Sequence, residues 1–203
     1  NAGDPAVTGK YLEKIDSSAK RMSTLINAIL NYSRLTNYEE KYVRIDLNEV
    51  LEQVKTDYDL LLKEKAAVVE SDPLPVINGI PLQLNQLFSN LMSNSLKFSP
   101  APVHIRIRSR LVPARETGVE SGTFRHTAFY ELNFEDNGIG FDQQYADQIF
   151  TMFRRLHSNQ EYPGTGIGLA LCKKIVENHR GYIRASGQSG KGASFLIYLP
   201  APK

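Results

Sequence analysis

The first part of the chain carries apolar residues at helical spacing. They recur every seven positions, at Ile15, Met22 and Ile29. Since no Pro or Gly follows Gly9 in this stretch, the spacing predicts one helix from Thr8 to Leu35. The mean globular helix has about 11–12 residues, so we expect this long stripe to be buried against other helices, in an up-down bundle or across a dimer. A helix folded back on the following domain is the alternative.

After residue 41 the chain mixes helical and strand-like spacing. Asp46 with Glu49 resembles a capping box and opens a second helix, whose spacing continues to Leu62. Two more helices are predicted over Ile80–Phe98 and Ile167–Asn178. The strand-like runs are Tyr42–Ile45, Ala67–Glu70, Val76–Ile77, Val103–Leu111, Thr127–Glu135, Tyr182–Ser186 and Ser194–Leu199. Because this order is mixed rather than strictly alternating, it predicts an α/β sandwich with a mixed sheet.

These patterns divide the chain into an N-terminal helix, residues 1–41, and a larger domain, residues 42–203. Within the larger domain the polar link Pro113–Arg125 contains two glycines, and we interpret it as an exposed hairpin loop without chemistry. A second link, Gly187–Gly192, lacks the spacing of a P-loop and is followed by a strand, so a hairpin turn is expected there.

The composition is that of an ordinary globular protein. Of the 203 residues, 41% are apolar and 23% are charged, which excludes a disordered or fibrous chain. The net charge of +2 demands neither nucleic acid nor an anionic membrane as a partner. No apolar run approaches the ~18–20 residues that span a bilayer, and no signal peptide is visible. The lone cysteine, Cys172, excludes an internal disulfide and a multi-cysteine metal site. We therefore expect a soluble, cytoplasmic domain.

The third predicted helix has a polar side with an unusual composition. Gln86, Asn90, Asn94 and Lys97 are spaced four, four and three residues apart, so they share one face. Asn is a poor residue for a helix interior, and a solvated face would favour Lys and Glu. Either the face is an accident, or its amide oxygens and cation suit Mg²⁺ carrying the phosphate oxygens of a nucleotide.

Two glycine-containing segments suggest ligand contacts. Asp136 ends a predicted strand and is followed by Gly138 and Gly140; its carboxylate can accept from an exocyclic amine such as that of adenine, or simply cap a tight turn. Gly164–Gly168 leads into the last helix, where exposed backbone N–H groups attract anions. A flexible loop is the alternative, since the spacing is not that of the dinucleotide fingerprint. The four histidines are scattered and indicate no metal site.

Taken in order, these segments resemble the catalytic ATP-binding domain of sensor histidine kinases, and the phytochrome-like and multi-sensor members in particular. The resemblance covers nearly the whole chain. Lys10–Leu35 is similar to the second helix of the dimerisation and phosphoacceptor hairpin. The other matching motifs are an N box at Leu87–Pro100, three glycine boxes at Asp136–Phe141, Gly164–Leu169 and Gly190–Phe195, and an F box at Ile149–Leu156.

The resemblance implies a Bergerat-type fold, in which a mixed sheet carries helices on one face, preceded here by the long helix. It also implies that ATP and Mg²⁺ are bound. Asn94 would ligate Mg²⁺, with Asn90 beside it and Lys97 on a phosphate. Asp136 would accept from the adenine amine. The remaining expected nucleotide contacts are Gly138 and Gly140, which allow close approach, and the second glycine box at the phosphates, Gly164, Thr165, Gly166, Ile167, Gly168 and Leu169.

Three further roles follow from the resemblance. Residues Thr151–Pro163 would form a lid that Phe150 and Phe153 anchor. Arg155 would lie at the end of this lid that faces the phosphates. Ser194 would help to hold adenine through a water to Asp136. The chain departs from the family at Ala193, where a hydroxyl residue is often found, and at His179-Arg180-Gly181, which replaces the more usual His-Gly-Gly.

The implied activity is transfer of the ATP γ-phosphoryl group to a histidine on an upstream helix, for relay to an aspartate of a response-regulator receiver domain. No histidine here lies in the acceptor pattern of the family, so we expect the chain to begin after the acceptor helix. The expected assembly is a homodimer through the N-terminal helix hairpin, with no nucleic acid contact and no membrane contact within this chain; a membrane anchor elsewhere in a full-length protein is compatible with this expectation. The alternatives are an ATP hydrolase of the same fold or a non-catalytic nucleotide sensor. Related hydrolases carry a glutamate base where this chain has Asn90, which cannot take a proton at neutral pH.

Overall fold

The chain forms two units, residues 1–38 and 39–203. The computed structural model describes residues 5–34, 41–117, 128–156, 162 and 164–202. The first unit consists of α1, Pro5–Arg34, which confirms the long N-terminal helix predicted from the apolar spacing. Among the described residues, no helix has the length and hydropathy needed to cross a membrane.

The second unit contains two sheets. A small antiparallel ribbon pairs β1, Val43–Asp46, with β3, Val76–Gly79. The main sheet has five strands in the order β2-β4-β5-β7-β6. The β2–β4 pair is parallel and the other three pairs are antiparallel, so the sheet is mixed, as the order of elements predicted. Its strands are β2 Val68–Ser71, β4 His104–Pro113, β5 Ala128–Asp136, β6 Tyr182–Gly187 and β7 Ala193–Pro200.

In the described part of the second unit, four α-helices accompany the strands: α2 Leu47–Asp57, α3 Asp59–Glu64, α4 Pro81–Phe98 and α5 Gly168–Asn178. Asp46 does cap α2, and its carboxylate accepts from the backbone N–H of Asn48 at 2.8 Å. The capping box predicted from the sequence would instead pair Asp46 with the backbone N–H of Glu49. The predicted second helix is divided at Tyr58, whose hydroxyl lies 3.1 Å from Ser89 Oγ on α4. The backbone at Tyr58 is non-helical, with φ −105° and ψ 10°, so α2 ends and α3 begins there.

The helices pack on one face of the main sheet, which confirms the predicted fold class. Alternate residues of β4, β5 and β7 face them and are buried, among them Ile107, Phe134 and Ile197. Leu91 of α4 and Ile175 of α5 are equally buried. Buried residues thus recur every second position along the strands and about every 3.6 positions along the helices, as a core between a sheet and helices requires.

The opposite face of the main sheet is covered in part by the link after β4. Val112, Phe129 and Tyr198 form a buried cluster there, against which Tyr182 also packs. The link was expected to be an exposed loop, and this is wrong for its first residues: Ala114–Thr117 form a short 3-10 helix in which Thr117 is buried. The cover is needed because aromatic side chains occupy this face. Residues 118–127 of the link lie outside the described residues.

A hydrogen bond from Tyr182 ties this cover to the far edge of the sheet. The Tyr182 hydroxyl donates to the carbonyl of Thr117 at 3.1 Å, and its ring stacks on Tyr198 with centroids 4.3 Å apart. The hydroxyl of Tyr198 donates in turn to Glu131 at 2.7 Å, and Arg110 pairs with the same carboxylate. The buried Glu131 is thus satisfied by two partners, as a buried charge must be.

His179 joins the end of α5 to the start of α4. Its ring is buried, Nδ1 lies 2.7 Å from the carbonyl oxygen of Ile175, and Nε2 accepts from the backbone N–H of Ile80 at 3.0 Å. The neutral ring therefore carries its proton on Nδ1. Burial lowers the pKa of His179 below its ordinary value of 6.5, an effect that the bond to Ile175 partly offsets.

The lowered pKa of His179 predicts a loss of stability in acid. Below pH 6.5 the unfolded chain takes up a proton on this residue before the folded one does, so its contribution to stability is complete above pH 6.5 and falls as pH decreases. His179→Phe, which removes both hydrogen bonds, should lower the free energy of unfolding by about 1–3 kcal/mol at pH 7.5. Urea denaturation between pH 7.5 and 5 should show the difference from wild type shrinking. His104→Gln, at an exposed position, is the control; a difference independent of pH would contradict the assignment.

Candidate active site

A cavity of about 290 Å³ opens between α4, the end of β5, the start of β7 and the segment before α5. The last turn of α4 forms one wall, and the glycine-rich segment Gly164–Gly168 forms the opposite one. Ten of the sixteen residues predicted from the sequence line the cavity: Asn94, Lys97, Asp136, Gly140, Arg155, Gly164, Thr165, Gly166, Gly168 and Leu169. The fold therefore brings together motifs that are widely separated in the chain, from the N box to the third glycine box, whose Ala193 and Phe195 also line the cavity.

Asp136 is the only carboxylate among the cavity-lining residues that the structure describes. Its Oδ1 accepts from the backbone N–H groups of Gly138 at 2.9 Å and Ala193 at 3.2 Å. Its Oδ2 accepts from Ser95 Oγ at 3.1 Å. Burial raises the pKa of Asp136, while these three hydrogen bonds oppose the rise. The bonds also orient the carboxylate, and Oδ2 keeps a lone pair for a ligand donor.

The two glycines after Asp136 are required by protein contacts as well as by ligand approach. A Cβ on Gly138 would lie 2.8 Å from Asp136 Oδ1 and 3.0 Å from the carbonyl oxygen of Phe98. Gly140 has a φ of +62°, and a Cβ there would lie 2.1 Å from the carbonyl oxygen of Gln188. Gly140 lines the cavity and Gly138 lies beside it, next to the C-terminus of α4.

The polar face of α4 turns towards the glycine-rich wall. Asn94 lines the cavity. Asn90, one turn earlier, has its Oδ1 3.5 Å from the point where a Cβ on Gly168 would lie. Its Nδ2 is buried and has no hydrogen-bond partner within the described part of the chain. Buried amides are normally hydrogen-bonded, so this atom is available to bond to a ligand or a water molecule. Asn90 therefore lies against the start of α5 and not in the cavity lining.

Lys97 and Arg155 supply positive charge to the cavity. Burial, and then the charge of Arg155, lower the pKa of Lys97. Its Nζ lies 4.4 Å from the ring centroid of Phe98 and 2.8 Å from the point where a Cβ on Gly164 would lie. Arg155 donates to the carbonyl oxygens of Gly164 at 3.2 Å and Tyr162 at 2.8 Å. Two neighbouring cations form a suitable site for phosphate groups.

The two phenylalanines of the predicted lid anchor behave differently. Phe150 is buried, as expected of an anchor, but Phe153 is 49% exposed. Phe153 adopts a φ of +62°, and its backbone N–H donates to the carbonyl oxygen of Gly166 at 3.0 Å. The Phe153 ring is therefore not buried as the Phe150 ring is, and the backbone of Phe153 contacts the glycine segment. Residues 157–161 and 163 of the predicted lid lie outside the described residues.

Ser194 is predicted to help hold adenine through a water to Asp136, but its side chain does not line the cavity. Side chains alternate across a strand, and Ala193 and Phe195 are the β7 residues that line the cavity. Ser194 points to the other face of the sheet, where its hydroxyl donates to Asn133 Oδ1 at 2.6 Å. Ile167 is buried at the start of α5 and is likewise absent from the lining.

The structure adds residues that the sequence reasoning missed. Ser95 bonds to Asp136, Arg154 lines the cavity as a further cation, and the ring of Tyr162 packs on Phe98 with centroids 5.0 Å apart. Ser95 could have been suspected because it follows Asn94 directly at a polar position of an otherwise apolar helix side. The Tyr162–Phe98 pair had no signal in the sequence, since it joins two segments across the cavity.

Comparison with known proteins gives a consistent result. The family described as "Histidine kinase-, DNA gyrase B-, and HSP90-like ATPase" matches residues 79–203. Cyanobacterial phytochrome A of Nostoc sp. is 35% identical over 202 residues, covering 94% of this chain and 25% of the relative. The sensor protein kinase WalK of Staphylococcus haemolyticus is 28% identical over 204 residues, covering 97% of this chain and 31% of the relative. The chain thus spans between a quarter and a third of the length of these relatives.

Solved structures share the fold. Full-length ShkA in complex with AMPPNP has a TM-score of 0.68 at 22% identity, covering 96% of this chain and 39% of that one. The Acinetobacter baumannii histidine kinase AdeS has a TM-score of 0.66 at 22% identity, covering 98% of this chain and 86% of that one. At this level of identity, the likeness concerns the arrangement of helices and strands.

The close approach at Gly140 predicts a large cost for an added methyl group. Gly140 and Gly190 both have positive φ, +62° and +76°, but no atom lies within 4 Å of a Cβ on Gly190. Gly190→Ala should therefore cost only the backbone strain of ~1–2 kcal/mol. Gly140→Ala should cost a further ~1–3 kcal/mol, because its Cβ meets the carbonyl oxygen of Gln188. Urea denaturation measures both, and equal losses would contradict the close packing of these two loops.

Proposed function

The chain belongs to the family of histidine kinase-, DNA gyrase B- and HSP90-like ATPases, and from this premise we propose that it is the ATP-binding kinase domain of a two-component sensor histidine kinase. The observation that carries the proposal is the cavity itself. A carboxylate oriented by three donors lies on the β5 side, and amide and cationic groups lie on the other. Such an arrangement matches a ligand with an amine at one end and phosphates at the other.

The residues of the cavity divide into a base site and a phosphate site. Asp136 Oδ2 accepts from the 6-amino group of adenine, for which it keeps a lone pair. Lys97 and Arg155 neutralise the phosphates, and the backbone N–H groups at the start of α5 face the same region. Asn94 offers an amide oxygen to Mg²⁺, which prefers oxygen ligands shared with the nucleotide. When bound, Mg²⁺ neutralises charge on the β- and γ-phosphates.

Transfer to a protein group is favoured over hydrolysis. Hydrolysis needs a base to activate water, and the residue one turn before Asn94 is Asn90, whose amide cannot accept a proton at neutral pH. Phosphoryl transfer depends chiefly on positioning and on stabilising charge, which the cations and amides of this cavity can supply. The phytochrome and WalK relatives, the latter named as sensor protein kinases, support the same conclusion.

We place the acceptor histidine on a helix upstream of α1. Of the two histidines that the structure describes, His104 is exposed at the start of β4 and His179 is buried at the end of α5, and neither lines the cavity. The proposed partners are a second copy, paired through α1 and the upstream helix, and the receiver domain of a response regulator. A cytoplasmic location is proposed with them.

Removing the proposed metal ligand should weaken Mg²⁺-ATP binding. Asn94→Ala should raise the dissociation constant at least about tenfold, the size expected when one contact to a charged group is lost. Asn85→Ala is the matched control, because it is the same change on the same helix away from the cavity lining. Asn137 serves less well, since its side chain bonds to His104 N at 2.8 Å and Pro102 O at 3.0 Å. Titration calorimetry with both variants measures the effect, and equal losses would remove Asn94 from the site.

The chain alone should bind ATP without phosphorylating itself. An acceptor imidazole must lie in line with the γ-phosphate, with the reacting atoms about 3–3.5 Å apart, and no described histidine lines the cavity. Incubation with labelled ATP should give negligible acid-labile phosphate, and labelling should appear when an upstream helix with the acceptor pattern is joined to the chain. Strong labelling of the chain alone that is lost in His157→Ala would place the acceptor inside this chain and contradict the proposal.

A further inference from the structure

Ser95 lies behind the carboxylate that the proposed function assigns to adenine. It follows Asn94 on α4 and is fully buried, at 0% exposure. Its hydroxyl donates to Asp136 Oδ2 at 3.1 Å. A serine inside a helix commonly donates to the carbonyl four residues earlier in the same helix. Here the hydroxyl instead makes a contact between α4 and β5, so it holds Asp136 against the helix that carries Asn94.

The other hydrogen bonds of Asp136 leave Oδ2 as the oxygen that can accept from a ligand. Oδ1 already accepts from two backbone N–H groups, those of Gly138 and Ala193. A carboxylate oxygen accepts about two hydrogen bonds, so Oδ1 is saturated. Oδ2 has Ser95 as its one protein donor among the described residues and retains one lone pair. The direction of that lone pair depends on where the Ser95 hydroxyl holds the oxygen.

The neighbouring position on β7 does not supply a hydroxyl. Ala193 lines the cavity and contributes its backbone N–H to Asp136, but its side chain is a methyl group. Ser194 faces the opposite side of the sheet. Among the described residues, Ser95 is therefore the one hydroxyl bonded to Asp136.

We propose that Ser95 is a positioning residue that makes the cavity selective for purines with a 6-amino group, acting through Asp136. The inference rests on the proposed function, because it takes the cavity to be an ATP site. The hydroxyl fixes Oδ2 so that its remaining lone pair meets the amine, and it stabilises the ionised carboxylate, which can only accept. Without this hydroxyl, Oδ2 loses the donor that fixes its remaining lone pair, and the carboxyl takes up a proton more readily. A protonated carboxyl no longer favours an amine over other groups.

Two nucleotides separate this role from simple packing. Ser95→Ala should weaken ATP binding about tenfold, as expected for the loss of an interaction made through a charged group. The 5′-triphosphate of purine riboside lacks the 6-amino group but keeps the ring and the phosphates, so its dissociation constant should change less than twofold. Ser89→Ala is the control, since it removes a partly buried serine hydroxyl of the same helix that contacts Tyr58 and lies outside the cavity lining, and it should leave both dissociation constants unchanged.

A pH series gives a second readout. Burial raises the pKa of Asp136, and Ser95 is one of three donors that oppose this rise. Ser95→Ala should therefore raise the pKa of Asp136 further. On acidification, the variant should begin to lose affinity for ATP at a higher pH than the wild type does. The charged and titratable groups around Asp136 are Lys97, Arg154 and Arg155 in the cavity, and Glu70, His104, Arg106, Glu135 and Lys191 around a second hollow that Asp136 also lines. They are the same in both proteins, so the displacement between the two curves reports on Asp136.

Each result has one meaning. If wild type binds ATP and Ser95→Ala weakens ATP and purine riboside triphosphate equally, or weakens neither, the inference is overturned while the proposed function stands. If wild type binds no ATP, the proposed function fails and the inference fails with it. Thermal unfolding checks that the variants fold; should Ser95→Ala be unfolded, Ser95→Cys, which fills the space with a much weaker donor, decides by the same comparison of nucleotides.

Discussion

The structure around the cavity depends on the hydrogen bonds of one carboxylate. Asp136 ends β5, and its oxygens accept from the turn that follows, from β7 beside it and from α4 above it. Three chain segments distant in sequence therefore converge on one side chain at the cavity wall. Burying a charge without such partners costs several kcal/mol. The same bonds that allow Asp136 to be buried thus also determine its orientation, and the site and the fold cannot be separated at this residue.

Much of this arrangement could be predicted from the sequence, because it depends on local pattern. The spacing of Asn90, Asn94 and Lys97 places them on one helix face, and the glycines after Asp136 and before α5 indicate close backbone approach. The order of elements indicated a mixed sheet, and the similarity of several motifs to one family indicated the fold. Each of these signals lies within a few consecutive residues, where helix and strand periods are decisive.

The failures have a different origin, since they concern side-chain direction and contacts between distant segments. Ser194 was assigned to the cavity because it lies in a glycine box, although one residue along a strand reverses the face. Residue type alone predicts that Phe153 is an anchor, whereas its backbone has positive φ and its ring is half exposed. The division of the second predicted helix at Tyr58 has no signal in the apolar spacing, which continues across it. None of these depends on local propensity alone.

The covered rear face of the main sheet has a consequence for the history of the sequence. The 3-10 helix Ala114–Thr117 lies over Tyr198 and is held by Tyr182 from the other edge. A deletion that shortened the β4–β5 connection would expose these rings to water. Polar residues at the two tyrosine positions would conversely reduce the apolar surface that the connection buries. The length of this connection and the aromatic character of β6 and β7 are therefore expected to covary among homologous sequences, as insertion and substitution compensate for each other.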